Sequence, residues 1–223
     1  MKCSIITPIG PGHEQLFLQC RNSVNKAITQ SMGPFTEITH RPIDDTQGLK
    51  GRSASRNSEV AEAVANGADW IFFLDADDLI LIDAFEKVMD AVKQYDAIWG
   101  AICELKNGAY YPQIRDEQDV PIRNVEDVLL MDPFFSLQMG HFVKAEVALA
   151  NPFNVELNTG EDFDYYLRIW HKYNCVKLKV PLFINRRGMH SKGPKSASGT
   201  DWRRNVEEIV WRFKREKQIR LNK

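Results

Sequence analysis

The sequence lacks the features that mark several large classes of protein. None of its apolar runs approaches the roughly 20 residues of a membrane-spanning helix, and it shows no internal period typical of a repeat array or of collagen. No two of its four cysteines form a CxxC pair, and no histidine lies at zinc-binding spacing from them. We therefore expect free thiols in a reducing compartment. Residues 1–8 are too short and too quickly interrupted for a signal peptide. These absences favour a soluble, cytoplasmic protein, and 223 residues suffice for one domain with a substantial core.

The chain also has almost no net charge, −1 at pH 7, but its charges are unevenly distributed. Residues 186–223 carry 12 basic and 4 acidic side chains, whereas residues 1–185 carry 17 basic and 26 acidic ones. Such a division is typical of a protein that meets an anionic partner through one segment. The alternative is a solvated helix on an acidic body.

The basic segment contains a stretch in which apolar residues recur at helical spacing. An amphipathic helix is therefore predicted, with an apolar stripe formed by Trp202, Val206, Ile209, Val210 and Phe213. The stripe can dock on the rest of the domain, or the helix can lie on an anionic lipid surface. A nucleic-acid partner is less well supported, because the body is acidic and no aromatic–basic readout motif is present.

Strand and helix patterns alternate along the chain. Strands are predicted at residues 2–8, 35–40, 70–74, 97–103, 140–143 and 176–180, and helices at 14–29, 53–67, 83–95, 125–131 and 161–173. This alternation predicts an α/β fold with a mainly parallel sheet covered by helices on both faces. Residues 106–124 have the composition of a surface loop, and residues 187–199 that of a flexible one. No linker divides the chain, so we expect a single domain.

Three carboxylates follow the most apolar strand of the sequence. Residues 70–74, Trp-Ile-Phe-Phe-Leu, lead directly into Asp75, Ala76, Asp77 and Asp78. Ligands of open parallel sheets bind at the carboxyl ends of the strands, and carboxylates that converge there repel one another unless a cation joins them. Mg²⁺ or Mn²⁺, held by Asp75 and Asp77 together with substrate phosphates, would relieve that repulsion. The alternative is an acidic turn that closes the strand and caps the helix after it.

Two polar side chains, Arg56 and Asn57, lie in the first turn of the predicted helix that precedes this strand. A cation is unfavourable at a helix N-terminus, whereas an anion is bound there readily. Arg56 is therefore expected either to bind a phosphate or to pair with Asp75 or Asp77.

Four blocks of the sequence together resemble those of family 2 glycosyltransferases of the GT-A fold. The blocks are Ser-Ile-Ile-Thr-Pro at residues 4–8, Gly-Arg-Ser-Ala-Ser-Arg-Asn at 51–57, Phe-Phe-Leu-Asp-Ala-Asp-Asp at 72–78 and Gly-Glu-Asp-Phe-Asp-Tyr-Tyr-Leu-Arg at 160–168. They occur in the order that the family has. The resemblance implies a Rossmann-like, mainly parallel sheet flanked by helices, followed here by the basic amphipathic helix.

The resemblance also implies a donor site for a nucleotide-diphosphate sugar, in the first place a UDP-sugar. The residues implied in nucleotide binding are Thr7, Pro8, Ile9, Asp44, Asp45, Arg52, Arg56, Asn57, Asp75, Ala76, Asp77 and Arg187. Asp75 and Asp77 match the DxD motif that binds the nucleotide and its Mn²⁺ or Mg²⁺, and His190 is a third candidate ligand of the metal. Residues 44–49, which follow the second strand, depart from the family's usual pattern. Lys50 or Arg52 is therefore expected to share the contact with the nucleotide base.

The resemblance further implies an inverting transfer in which Asp162 is the general base. A carboxylate there would take the proton of an acceptor hydroxyl as that hydroxyl attacks the anomeric carbon. Glu161 would orient the acceptor or cap its own helix, and Arg187 would bind the diphosphate. The plainer interpretation of Glu161 and Asp162 is that acidic residues favour the first turn of a helix.

The predicted organisation is a nucleotide-sugar-binding half at residues 1–105, an acceptor and catalytic half at 106–185 and the basic loop and helix at 186–223. The expected partners are the sugar nucleotide and a glycan or lipid-linked acceptor, with the protein in the cytoplasm or peripheral on the inner face of the membrane. Two alternatives stay open. A nucleotidyltransferase would need a Lys or Arg in the glycine-rich loop at residues 9–13, which has neither. A catalytically silent binding module would not need Asp75, Asp77 and Asp162.

Overall fold

The computed structural model describes residues 1–106, 109–188 and 199–221. Its strands, in chain order, are β1 (Lys2–Ile9), β2 (Glu37–Asp44), β3 (Trp70–Phe73), β4 (Leu79–Ile80), β5 (Ala97–Trp99), β6 (Cys103–Leu105), β7 (Gln113–Ile114), β8 (Phe142–Lys144), β9 (Cys175–Lys177) and β10 (Phe183–Arg186). Its α-helices are α1 (Glu14–Gln30), α2 (Arg52–Ala65), α3 (Ala84–Lys87), α4 (Val125–Leu130), α5 (Pro133–Ser136), α6 (Ala145–Ala150), α7 (Glu161–Lys172) and α8 (Gly199–Leu221).

Six of the strands form the central sheet in the order β2-β1-β3-β8-β5-β9. β1 pairs in parallel with β2 and with β3, and β5 pairs in parallel with β9. β8 runs antiparallel between β3 and β5. The expected α/β fold, a mainly parallel sheet between helices, is confirmed, and β8 is a reversed strand inside it.

β3 explains why the apolar run at residues 70–74 belongs in the middle of the sheet. Its side chains alternate between the two faces, as the two-residue period of a strand requires. Ile71 and Phe73 join an apolar core with α2, α4 and α7, whereas Trp70 and Phe72 join a second core with α1 and α3 on the other face. All four side chains are at most 2% exposed. The sheet is therefore covered on both faces where it leads into the three carboxylates.

A smaller second sheet has the strand order β4-β10-β6-β7. The strand predicted at residues 97–103 is wrong as one element, because its two ends belong to different sheets as β5 and β6. The chain turns at Gly100, where a Cβ atom would lie 2.9 Å from the Val180 carbonyl oxygen. β10 has no counterpart in the predicted pattern. Because it pairs with both β4 and β6, it brings Asn185 and Arg186 beside the loop that follows β3.

The helix predicted at residues 83–95 is also wrong as a continuous element. The segment forms α3 and a separate 3₁₀ turn at Ala91–Lys93. Between them Met89 donates its N–H to the carbonyl of Glu86, three residues earlier, which is the tighter 3₁₀ pattern. The side chains that face the core are nevertheless Ala84, Phe85, Val88, Ala91 and Val92. Two short turns thus satisfy the apolar spacing of three to four residues from which a single helix was predicted.

The basic helix α8 packs on α7 through the predicted apolar stripe. Val206 and Ile209 are buried, and the Phe213 ring lies edge-on to the His171 ring with centroids 5.4 Å apart. Docking is therefore the arrangement observed, while membrane contact of the exposed face of α8 stays a prediction. In the described ranges, no helix is both long and apolar enough to cross a membrane. The four cysteines are buried free thiols.

Candidate active site

A cavity of about 500 Å³ lies at the carboxyl end of β3, beside the first turns of α2 and α7. Seven of the predicted site residues line it: Arg52, Arg56, Asp75, Asp77, Glu161, Asp162 and Arg187. They come from segments far apart in the sequence, so the fold itself brings these motifs together. Arg115, Phe134 and Trp202 also line the cavity, although the sequence carries no local signal for a role of these three in a site.

Alternating charges join the carboxylate loop to the start of α7. The Arg56 guanidinium is 2% exposed, pairs with Asp75 and lies 3.5 Å from Glu161 Oε1. Arg52, one helical turn earlier on α2, donates to both carboxylate oxygens of Glu161, with 3.0 Å between Nη2 and Oε2. Of the two roles expected for Arg56, the structure shows the pairing with Asp75. Glu161 is buried between two guanidiniums, and its carboxylate is fully engaged by them.

The loop after β3 gives its carboxylates different surroundings. Asp78 is buried and accepts hydrogen bonds from the Asn185 side chain at 3.1 Å and from the Arg186 backbone N–H at 3.0 Å. Burial, and then the neighbouring carboxylates, raise the pKa of Asp78 well above its usual range. Burial and the charge of Asp75 raise the pKa of Asp77 to about 6. Asp78 thus ties the loop to β10, whereas Asp77 carries a charge that is disfavoured by its surroundings.

Arg186 fixes the backbone of the same loop. Its side chain is 5% exposed and donates hydrogen bonds to the Asp77 carbonyl, to the Gln19 side-chain oxygen and to the Leu16 carbonyl, the last at 3.1 Å. These acceptors belong to the loop and to α1. One buried guanidinium therefore ties the backbone of the carboxylate loop to the first helix.

Asp75 and Asp77 have the chemistry of a divalent-cation site. Carboxylate oxygens suit Mg²⁺ and Mn²⁺, and Mg²⁺ is usually held by one or two carboxylates together with substrate phosphates. Burial, and then the charge of Asp75, raise the pKa of Asp77, and a cation would relieve the second of these effects. Across the described ranges no group of three or more His, Cys, Asp or Glu side chains is arranged to hold a metal, so ligands from a bound nucleotide would have to complete its shell. His190, the third predicted ligand, lies outside the described residues.

Asp162 is a partly buried carboxylate in the first turn of α7. Its Oδ1 accepts the backbone N–H of Phe163 at 2.8 Å and the indole N–H of Trp202 at 3.4 Å. Burial and the charge of Glu161 raise the pKa of Asp162 to about 6, against the opposing attraction of Arg52. Such a carboxyl group is ionised at neutral pH and is a stronger base than an ordinary aspartate, which suits proton abstraction. The sequence pattern places Trp202 only in an apolar stripe and does not indicate this contact.

Another wall of the cavity is basic. The Arg115 and Arg187 guanidiniums lie over the Phe134 ring, 3.9 and 5.0 Å from its centroid. The buried carboxylate of Glu104 pairs with Arg115 at 2.8 Å and lies 3.5 Å from Lys106 and 3.7 Å from Arg187. One carboxylate thus faces three cations, and the Arg187 side chain is 49% exposed. This wall carries an excess of positive charge toward the cavity.

Four predicted donor-site residues, in β1 and in the loop after β3, are not among the described residues that line the cavity. Thr7 is fully buried, and its hydroxyl lies 3.0 Å from Nε2 of His40 on β2. Pro8 and Ile9 at the end of β1 and Ala76 in the carboxylate loop are buried as well. Their contribution to a base pocket stays a prediction.

Three further predicted residues have structural partners outside the cavity lining. Asp45 accepts the backbone N–H groups of residues 50 and 51 at 2.9 and 2.7 Å, which closes the loop that leads into α2. Asp44 is exposed and accepts the backbone N–H of residue 46 at 3.0 Å. The Asn57 amide exchanges two hydrogen bonds with the Phe153 backbone, at 2.8 and 2.9 Å. These contacts order the loop before α2 and tie α2 to the backbone of Phe153.

No model of a known protein family matches the chain. A curated protein of Haemophilus influenzae, named as an uncharacterized glycosyltransferase, is 24% identical over 166 residues, which cover 72% of this chain and 54% of that protein. The chain thus spans about half the length of this relative. The similarity connects the chain to a protein named for glycosyl transfer.

Solved structures share the fold. S. aureus TarS 1-349 in complex with UDP-GlcNAc matches with a TM-score of 0.65 at 14% sequence identity, over 94% of this chain and 65% of that one. Glucosyl-3-phosphoglycerate synthase from Mycobacterium tuberculosis, in complex with Mn²⁺, UDP and phosphoglyceric acid, matches with a TM-score of 0.52 at 11% identity, over 94% of this chain and 77% of that one. At such low identity the likeness establishes a shared fold.

Proposed function

We propose that the chain is a metal-dependent glycosyltransferase that moves the sugar of a nucleotide-diphosphate sugar, a UDP-sugar, to an acceptor hydroxyl with inversion at the anomeric carbon. The observation that carries the proposal is the meeting of Asp75, Asp77 and Asp162 in one cavity. The relative named as a glycosyltransferase and the solved neighbours in complex with UDP-GlcNAc or with UDP and Mn²⁺ support it.

The donor would bind where the carboxylates and the basic wall meet the cavity. Asp75 and Asp77 would hold Mn²⁺ or Mg²⁺ with the donor's phosphates, and a metal there supplies charge stabilisation to the departing diphosphate. Arg187 is half-exposed on the basic wall, which supports a contact between its guanidinium and the diphosphate. The base and ribose would lie near residues 7–9, 44–45 and 76, with Arg52, Arg56 and Asn57 shaping the pocket.

Asp162 is the better candidate for the base than Glu161. The Glu161 carboxylate is buried, and its oxygens are occupied by ion pairs with Arg52 and Arg56. Asp162 lies in the same helical turn, lines the cavity and has its pKa raised to about 6. Glu161 instead positions the first turn of α7, on which Asp162 lies.

The transfer step follows from these roles. The acceptor oxygen forms a bond to the anomeric carbon on the face opposite the diphosphate, and its proton passes to Asp162. The bond between the anomeric carbon and the diphosphate oxygen breaks, and its electron pair leaves with the nucleotide diphosphate. A positioned base contributes about 10²- to 10⁴-fold to the rate of such a step.

We also propose an acceptor and a cellular setting for the reaction. The donor half would comprise residues 1–105 and the acceptor half residues 106–185, with a glycan or lipid-linked acceptor. The exposed basic face of α8 would allow peripheral contact with an anionic membrane.

The proposal is tested by measuring nucleotide release from a panel of sugar nucleotides with Mn²⁺. We expect turnover of at least one UDP-sugar, a loss of about 10²- to 10⁴-fold in Asp162→Asn, and unchanged UDP binding in that variant. Asp164→Asn is the matched control, since Asp164 lies on the same helix and pairs with Arg168 at 2.9 Å. Wild-type turnover in Asp162→Asn would exclude Asp162 as the base.

A further inference from the structure

The first turn of α8 reaches the candidate base from outside the predicted motifs. Trp202 lines the same cavity as Asp162, and its indole N–H donates to Asp162 Oδ1 at 3.4 Å. The same oxygen also accepts the backbone N–H of Phe163. Among the described residues both hydrogen bonds to this carboxylate fall on Oδ1. The second oxygen, Oδ2, is therefore the one left to receive a proton.

Independent contacts hold α8 in this position. Gly160, directly before α7, has a φ of +79°, and a Cβ there would lie 3.0 Å from Ile209 Cδ1. The start of α7 and the helix α8 therefore meet closely at Gly160. Arg203, next to Trp202, pairs with Asp132 at 2.6 Å, just before the α5 segment that contributes Phe134 to the cavity. The indole is thus fixed between α7 and the neighbourhood of α5.

We propose that Trp202 is a positioning residue for Asp162: its indole N–H holds Oδ1 so that Oδ2 faces the acceptor hydroxyl. This inference rests on the proposed role of Asp162 as base. It gives α8 a part in completing the site. The apolar stripe of this helix would by itself explain only a packing role. The aromatic ring would in addition form an apolar surface beside the acceptor.

Several charged and titratable groups act on Asp162 besides Trp202. Glu161 and Tyr166 come from its own helix, and Arg52 comes from α2. From α8, Arg203 is engaged by Asp132, and Asp201 precedes Trp202 in the chain. A test must therefore remove the indole N–H alone and leave these groups in place.

The test is a titration of the Asp162 carboxyl carbon by ¹³C NMR, with its resonance assigned through Asp162→Asn. In Trp202→Phe we expect the pKa of Asp162 to rise by about half a unit to one unit, because a hydrogen bond to the charged form is lost. Trp211→Phe, an exposed tryptophan of the same helix, should titrate like the wild type. An unchanged titration in Trp202→Phe would overturn the proposal.

The pH dependence of turnover gives a second readout, and a purely structural role of Trp202 would not change it. We expect kcat to fall and its low-pH limb to shift upward in Trp202→Phe, with the KM for the donor unchanged. If Trp202→Phe does not fold, site-specific replacement of the indole by benzothiophene removes the N–H and keeps the ring shape, and the same shift is expected. The NMR titration of Asp162 needs no sugar nucleotide. An unchanged titration would therefore count against the role of Trp202 alone, whereas absence of nucleotide binding would count against the proposed function.

Discussion

Replacing the candidate base by its neutral isostere should make the protein more stable. Burial and Glu161 raise the pKa of Asp162 from 3.8 to about 6 in the folded state. Folding therefore favours the protonated form, and the stability that this form contributes is fully present below pH 3.8 and lost as the pH rises through 6. At pH 7.5 the wild-type protein thus bears the cost of an unfavourable buried charge, which Asp162→Asn removes.

The size of the effect follows from the pKa shift. A shift of about two units corresponds to about 3 kcal/mol at pH 7.5. Because Asp162 lines a cavity that solvent can enter, we take this as an upper bound and expect a gain of about 1–3 kcal/mol. For a chain of this length that gain raises Tm by about 2–12 °C. At pH 4 the carboxyl group of the folded wild type is itself neutral, so most of the gain should disappear.

Differential scanning calorimetry of the wild type and Asp162→Asn at pH 7.5 and pH 4 measures the gain in stability at each pH. Asp164→Asn is the control of opposite sign, because it removes a partly exposed ion pair with Arg168 and should cost at most about 1 kcal/mol. A variant less stable than the wild type at pH 7.5, or a gain of equal size at both pH values, would refute the reasoning.

Three further predictions concern the frame of the site. Arg186→Met removes three buried hydrogen bonds from the loop and α1, so urea unfolding should show a loss of about 2–4 kcal/mol, and a loss below 1 kcal/mol would contradict this anchoring role. Gly160→Ala places a side chain at φ +79° against Ile209, so Tm should fall by an amount equivalent to about 1–3 kcal/mol, whereas a rise would show that α8 is not held there. Turnover should fall as the pH drops below about 6, since the base works only while it is ionised, and a rate that stays constant down to pH 5 would exclude a base of this pKa.

The carboxylate side of the site follows from local signals in the sequence. Asp75 and Asp77 directly continue a strand whose apolar run has to be buried on both faces, and Arg56 lies in a helix turn where a cation needs an anionic partner. The structure brings these residues to one edge of the sheet and pairs Arg56 with Asp75. Position along the chain was enough here, because the end of β3 determines where its next residues lie.

The basic wall and the contact between Trp202 and Asp162 depend on long-range contacts, which leave no local pattern in the sequence. Arg115 lies in a stretch with the composition of a loop and reaches the cavity through its pairing with Glu104. The helical spacing around Trp202 predicts α8, but it does not indicate that this residue would meet Asp162. β8 is only three residues long, which is too short for a period that reveals its reversed direction.

The most direct test of nucleotide-sugar binding at the DxD stretch is calorimetric titration of UDP in the presence and absence of Mn²⁺. We expect binding at one site per chain that requires the metal, loss of that binding in Asp77→Asn, and retention in Asp90→Asn, whose carboxylate is 85% exposed. Absence of UDP binding under both conditions, or undiminished binding in Asp77→Asn, would contradict the assignment of this cavity as the donor site.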